Sequence, residues 1–315
     1  MPTSSKFTLD GDALERVFSL WNLPRPSESH VLFALRGALP MQAPRPPATS
    51  GKPGWASSVT LEVVKTDYRH MRCTLGIWNR KTGRIFVAPG STVPHLDNVL
   101  KAAARKGAMQ GRGTNQLEPG FYTDLTKGEH LQGKPQGHAA LRQTGSRFYR
   151  RARILRRGSL PYSNRDPLYF GNPYDNLHCA WNPDPGAEGY RSAGCLVVAG
   201  WPHSPRRQDL KPGENRNKGP WKTFHDFLYA AAQKSFPLLL LPAQEVAEAL
   251  RARAPRRPTA ASRAVIPATY LVYGSEGPAV ENLQRRLAAR GFYKGRITGK
   301  LGVSTYRAWN KAGLI

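Results

Sequence analysis

Two side chains in this 315-residue sequence have the types and surroundings that nucleophilic acyl chemistry needs. His178 follows Asn176-Leu177. Cys195 follows Ser192-Ala193-Gly194 and precedes the apolar run Leu196-Val197-Val198. A free thiol has a pKa of about 8.5 and is mostly protonated at neutral pH, so a cysteine nucleophile requires a base. Imidazole, about 6.5 when free, can take that proton. Gly194 lets the backbone come close to an incoming carbonyl, and the N–H groups around Gly194 and Cys195 are expected to form an oxyanion hole.

Strand alternation separates the neighbouring thiols. With His178 facing a cleft, Cys179 faces the core and is the poorer nucleophile. Tyr174 and Tyr190 are candidate cleft-lining phenols, or packing residues. Trp181 and Asp184 sit on the loop between His and Cys and are expected to shape the substrate groove, where Arg191 can meet a peptide carboxylate. Two structural rivals remain: a Cys179–Cys195 disulfide, and a zinc site from His178, Cys179, Cys195 and His203, which no Cys-x-x-Cys spacing supports. His130 and His138, in the Gly-rich stretch from Lys127 to Ala140, read as solvated loop residues.

The stretch from Tyr174 to Gly200 resembles the catalytic signature of the L,D-transpeptidase (YkuD-like) family, an upstream His followed by Ser/Thr-His-Gly-Cys. His178 matches the upstream His, Ser192 the Ser/Thr, Gly194 the Gly and Cys195 the nucleophile. The resemblance implies that His178 is the base and that the carbonyl of the next residue, Cys179, orients its ring. It implies a thioester acyl-enzyme formed on a peptidoglycan stem peptide, with an L-centre donor and a D-residue leaving group. No metal and no organic cofactor are implied. Ala193 replaces the signature's second His, and Val197 stands where the family often carries Arg or Asn. The first change favours hydrolysis or an altered acceptor over cross-linking.

A second resemblance lies at the C-terminal end. Gly274-Ser275-Glu276-Gly277, Val280, Leu283-Gln284, Leu287, Gly291-Phe292-Tyr293, Gly295, Gly299, Leu301-Gly302 and Thr305 resemble the helical type 1 peptidoglycan-binding domain. Ser275 can cap a helix whose stripe is Val280, Leu283 and Leu287, and Gly291 ends it.

The elements that must position these residues are strands. Val59, Leu61 and Val63 alternate, as do Met71, Cys73, Leu75 and Ile77. Asn79 to Gly83 reads as a hairpin turn, and Ser235 to Pro242, with four Leu, as a buried strand. Helices are expected near Leu14–Trp21, Leu96–Met109, Trp221–Ala231 and Ala243–Ala252. The expected fold is mostly β: an L,D-transpeptidase-like twisted β-sandwich with peripheral helices, plus a small α-helical bundle. Expected boundaries are 1–54 for an N-terminal helical extension and Pro-rich linker, 55–250 for the catalytic domain, 251–267 for an Arg/Ala/Pro linker and 268–315 for the peptidoglycan-binding-like unit.

Net charge is +26, from 47 basic and 21 acidic residues. Such a field favours anionic partners. Bacterial peptidoglycan with its anionic polymers is the expected one. Nucleic acid is the lesser expectation, since no nucleic-acid module or zinc finger is visible. No stretch is long and apolar enough to span a bilayer, and no export signal is recognisable. Action at the periplasm or cell wall would then follow phage lysis or secretion-system delivery. The readings carried forward are a peptidoglycan-active cysteine acyltransferase or peptidase, an L,D-carboxypeptidase or endopeptidase-type wall hydrolase, and a non-catalytic wall-binding protein. The sequence leaves the oligomeric state open.

Overall fold

The computed structural model describes residues 5–41, 54–107, 113–152, 162, 166–208, 210–211, 213–252 and 270–313. Most of the Pro-rich linker before residue 54 and most of the linker after 251 fall outside these ranges.

The chain begins with strand β1 (Lys6–Asp10) and helix α1 (Gly11–Leu20), whose first turn is capped by the Asp10 carboxylate accepting from Ala13 N–H. Strands β2 (His30–Arg36), β3 (Ala38–Pro40), β4 (Ser58–Val63), β5 (Cys73–Asn79) and β6 (Ile85–Ser91) follow, then helix α2 (Leu96–Ala103). Next come β7 (Thr114–Leu117), β8 (Gly120–His130), β9 (His138–Gln143), β10 (Arg147–Ala152), β11 (Leu168–Gly171), β12 (Leu177–Cys179) and β13 (Leu196–Val198). Helix α3 (Pro220–Ala230), strand β14 (Ser235–Pro242) and helices α4 (Ala243–Arg251), α5 (Pro278–Ala289) and α6 (Val303–Lys311) complete the order.

Eight of these strands close into a barrel in the order β12-β13-β6-β5-β2-β14-β8-β9, and β9 pairs with β12 to seal it. This corrects the expected twisted sandwich with a separate helical bundle. The inward/outward alternation of Cys73, Leu75 and Ile77 suits either architecture. Closure is decided instead by the short edge pairing Leu177↔Leu141, which removes the two free sheet edges. The stretch expected to be an N-terminal extension supplies β1 to β3, and β2 is a barrel strand between β5 and β14.

Runs buried on both faces build two cores. Leu32, Ala34, Cys73, Leu75, Ile77, Leu238 and Leu240 join Trp221, Phe224 and Leu228 of α3. The alternate residues Val31, Phe33, Leu35, Leu239 and Leu241 pack against α1 and α4 through Leu14, Val17, Phe18 and Val246. At about 25 cal/mol per Å² of apolar surface, such doubly covered strands dominate the stability. Helices α5 and α6 also pack onto the rest of the molecule. Phe148 of β10 lies in one cluster with Val280, Leu283, Leu287, Tyr306 and Trp309, and Ser275 Oγ donates to Trp21 O at 2.7 Å. No helix among the described residues is long and apolar enough to cross a membrane.

Candidate active site

The site is set by a parallel pair of very short strands. β12 and β13 pair with Leu177 opposite Leu196 and His178 opposite Val197. That register places Cys195, one residue before β13, opposite Asn176, and Leu196 N–H donates to Asn176 O at 2.9 Å. Leu177, Cys179, Leu196 and Val198 turn inward to the core. By alternation His178 and Cys195 share the other face, one step apart on a diagonal. Parallel neighbours need a crossover, and here residues 180–194 supply it. That crossover becomes a wall of the cleft.

His178 is buried, and its Nδ1 lies 2.8 Å from the carbonyl oxygen of Cys179. A ring nitrogen of His178, one of His130 and the Cys195 sulfur lie within 4.8 Å of one another. With Nδ1 committed, Nε2 is the nitrogen left for the sulfur. Burial holds the His178 imidazole well below its ordinary pKa, helped by His130 and His138, and burial together with the Asp175 carboxyl pushes the Cys195 thiol up. The resting pair is therefore neutral thiol and neutral imidazole. The Asn176 and Cys195 backbone N–H groups lie against the sulfur and oppose the upward push.

The two histidines expected to be solvated are part of this site. β8 and β9 form a hairpin in which His130 pairs with His138. His138 is buried, with Nε2 3.2 Å from His178 Nδ1 and Nδ1 2.6 Å from Gln136 O. The His130 ring stacks on His178 at 4.2 Å between centroids and 14° between planes. Asn176 donates to His130 Nδ1 at 3.0 Å, and Gln143 N–H, 3.3 Å from Asn176 Oδ1, fixes that amide's orientation. Burial lowers the His130 pKa to about 4, so it stays neutral. Polar residues from Lys127 to Ala140 hide the strand period, and the useful sequence signal was two His flanking a Gly/Pro-containing turn.

The turn before Cys195 is held by Ser192. Its hydroxyl donates to Cys195 O at 2.7 Å and accepts from Gly194 N–H at 3.2 Å, while its own carbonyl accepts from His95 N–H and from the Asn98 side chain. Ser192 thus shapes the turn before Cys195. The Gly194 N–H, expected in an oxyanion hole, is already engaged. Among the described residues no backbone carbonyl takes the N–H of Ala193 or Cys195; that of Cys195 lies against its own sulfur.

A cleft of about 730 Å³ opens beside the pair, lined by His130, Trp181, Tyr190, Arg191 and Ala193 but by neither His178 nor Cys195, which lie buried behind it. The Arg191 guanidinium lies over the Trp181 ring at 4.6 Å, and that ring meets His138 edge-on at 5.4 Å. Trp181 is held at φ +61, a left-handed value that costs a non-glycine residue free energy and recurs at functional sites. Tyr190 borders the cleft and is largely buried, with its hydroxyl donating to Pro94 O at 3.2 Å. Tyr174 is 76% exposed, and its structure gives it no tie to the sulfur. A second groove of about 440 Å³ shares Trp181, Arg191 and Trp201 with the cleft and adds Arg206, Leu210 and Lys218.

Neither structural rival is realised. Cys73, Cys179 and Cys195 are all free thiols. The only group of potential metal ligands among the described residues is His130, His178 and Cys195, without Cys179 or His203. Imidazole lone pairs lie in the ring plane, so two nearly parallel stacked rings cannot both aim at one ion unless one turns. Comparison with protein-family descriptions, curated proteins and solved structures found no match.

Proposed function

We propose that this protein is a peptidoglycan-active cysteine acyltransferase or peptidase that works on stem peptides through a thioester acyl-enzyme. The observation that carries the reading is the shared barrel face of His178 and Cys195, with His178 Nδ1 on the Cys179 carbonyl and a ring nitrogen within 4.8 Å of the sulfur. A base oriented by one acceptor and turned toward a nucleophile is the general arrangement of covalent acyl transfer.

In the first step His178 Nε2 takes the thiol proton as Cys195 Sγ bonds to the scissile carbonyl carbon. The resulting oxyanion lies toward the N–H groups of Cys195 and Ala193. Collapse breaks the C–N bond, and the leaving amine takes the proton back from His178. An acceptor amine or water then attacks the thioester, again deprotonated by His178, and releases Cys195 as thiol. No metal or cofactor enters these steps.

Support for peptidoglycan comes from the two resemblances in the sequence, the net charge of +26 and the cationic groove of Arg191, Arg206 and Lys218 beside the cleft. Stem peptides carry carboxylates that such a groove would attract. The C-terminal helices are the proposed wall-binding element, and the cell wall or periplasm is the proposed place of action.

The test is incubation of the full chain with purified muropeptides, followed by mass analysis, beside Cys195→Ala. Loss of a terminal residue, or a new cross-link, with the native protein alone is the expected result. Stem peptides left unchanged by the native protein would overturn the enzyme reading and leave a wall-binding protein.

A further inference from the structure

The β8–β9 hairpin brings His138 Nε2 to 3.2 Å from His178 Nδ1, and the hydrogen positions follow from its neighbours. Gln136 O, 2.6 Å from His138 Nδ1, can only accept, so Nδ1 carries the proton. Burial and the nearby Arg191 charge keep His138 neutral, which leaves a lone pair on Nε2. That lone pair points at His178 Nδ1 from 3.2 Å, while Cys179 O faces the same nitrogen from 2.8 Å. A proton on His178 Nδ1 meets two acceptors. In the other tautomer the Nδ1 lone pair would face a carbonyl oxygen and an imidazole lone pair in a buried site, where unmatched polar groups are costly.

We propose that His138 is a positioning residue, the second acceptor that holds His178 in the Nδ1–H tautomer so that Nε2 keeps its lone pair for the Cys195 thiol. The arrangement works throughout the reaction. When Nε2 takes the thiol proton, the imidazolium still has Nδ1–H shared between Cys179 O and His138 Nε2. Such sharing of one N–H between two acceptors is a three-centre hydrogen bond, a form familiar from helix termini. His138 touches neither the sulfur nor substrate in this scheme and acts only through His178. The histidine pair is also braced from outside, since Tyr229 Oη takes the N–H of Ala140, two residues along β9, at 3.1 Å.

The catalytic consequence rests on the proposed function, but the hydrogen positions do not. The experiment therefore has two arms on the full chain. In the first, long-range proton–nitrogen NMR of histidine-labelled protein reads each ring's tautomer. The expected result is Nδ1–H on both His138 and His178 in the native protein. His138→Gln, whose carbonyl can accept, is expected to keep His178 on Nδ1–H. His138→Leu is expected to show a new Nε2–H population. A native His178 protonated on Nε2, a native His138 protonated on Nε2, or a Leu variant with His178 still wholly Nδ1–H would overturn the proposal, and the first two need no variant to fold. In the second arm, kcat on the stem peptide should fall about tenfold or more in His138→Leu with KM little changed, and His138→Gln should recover most of the loss. Equal kcat loss in both variants would overturn the positioning role. The expected tautomers without activity on any stem peptide would sink the proposed function and leave the tautomer assignment standing.

Discussion

Gly194 and Asp175 meet with no room between them. A Cβ built on Gly194 would stand 2.7 Å from both carboxylate oxygens of Asp175, and Gly194 sits at φ +143, where side chains are rarely tolerated. The buried carboxyl thus presses on the turn that leads into Cys195. Gly194→Ala should cost roughly 1–3 kcal/mol from backbone conformation alone, with more from the clash. Urea unfolding with the native slope and a lower midpoint would check this. An unchanged midpoint would mean the turn relaxes freely.

Asp175 itself should give stability a pH dependence of unusual sign. Burial raises its pKa from 3.8 to about 7, against the opposing pull of Asn115 and Arg151. The unfolded carboxyl loses its proton near 3.8 while the folded one keeps it to about 7. The folded state therefore binds the extra proton in this window, and stability from this group is lost as pH rises through it. The difference corresponds to roughly 4 kcal/mol at most. Asp175→Asn removes the effect, so the variant should gain on the native protein between pH 5 and pH 8. Melting temperatures of both across that range test it, and a constant gap would refute the raised carboxyl.

The histidine cluster pushes the other way. Burial lowers His130 to about 4 and lowers His138 and His178 as well. Unfolded imidazoles take up protons below about 6.5 while the folded ones resist, so stability from these rings is lost as pH falls below 6.5. The same shift keeps His178 a free base on the acid side. The acid limb of kcat/KM on a stem peptide should fall below 6.5. Cys195→Ala and His178→Ala should each lower kcat by on the order of 10³ or more, and His178→Ala, which empties a buried hydrogen-bonded position, should also lower the melting temperature. A limb at or above 6.5 would place the controlling base elsewhere.

How much of this was legible beforehand depended on whether the period of a segment showed. Leu238 to Leu241 and Val31 to Leu35 are covered on both faces, and the first read as a buried strand at once. His178 and Cys195 stood out by residue type, and Cys179 turned inward as alternation requires. The hairpin histidines did not stand out, because Lys127, Glu129 and Arg142 leave no apolar alternation around them. Barrel closure was not legible either. It rests on β12 and β13, strands of three residues each, whose pairing partners are set by the whole molecule.

A chelator should leave the activity untouched. His130 and His178 are stacked at 14°, so neither can offer an in-plane lone pair to an ion held by the other without rotation, and Asn176 already occupies His130 Nδ1. Activity on stem peptides measured before and after dialysis against EDTA checks this. Loss on dialysis with recovery on added zinc would mean the rings turn and a metal joins the site.

The C-terminal helices should prove inseparable from the barrel-side sheet. Glu118, buried beside β7, binds Arg150 Nε of β10 through Oε1 at 2.8 Å and accepts from the Tyr306 hydroxyl of α6 through Oε2 at 3.0 Å. The Tyr306 ring stacks on Phe148 at 4.3 Å. One carboxylate therefore ties a strand to the terminal helix in a water-poor seam. Tyr306→Phe keeps the stack and removes only the hydroxyl, which should cost about 1–3 kcal/mol because a charged acceptor loses a donor. Glu118→Ala removes both the Arg150 ion pair and the acceptor of the Tyr306 hydroxyl and should cost more than Tyr306→Phe. Both losses should appear in a single cooperative transition if the helices and barrel unfold together. Two separated transitions, with Tyr306→Phe moving only the smaller one, would show instead that the helical unit melts on its own and that the seam contributes little to the barrel.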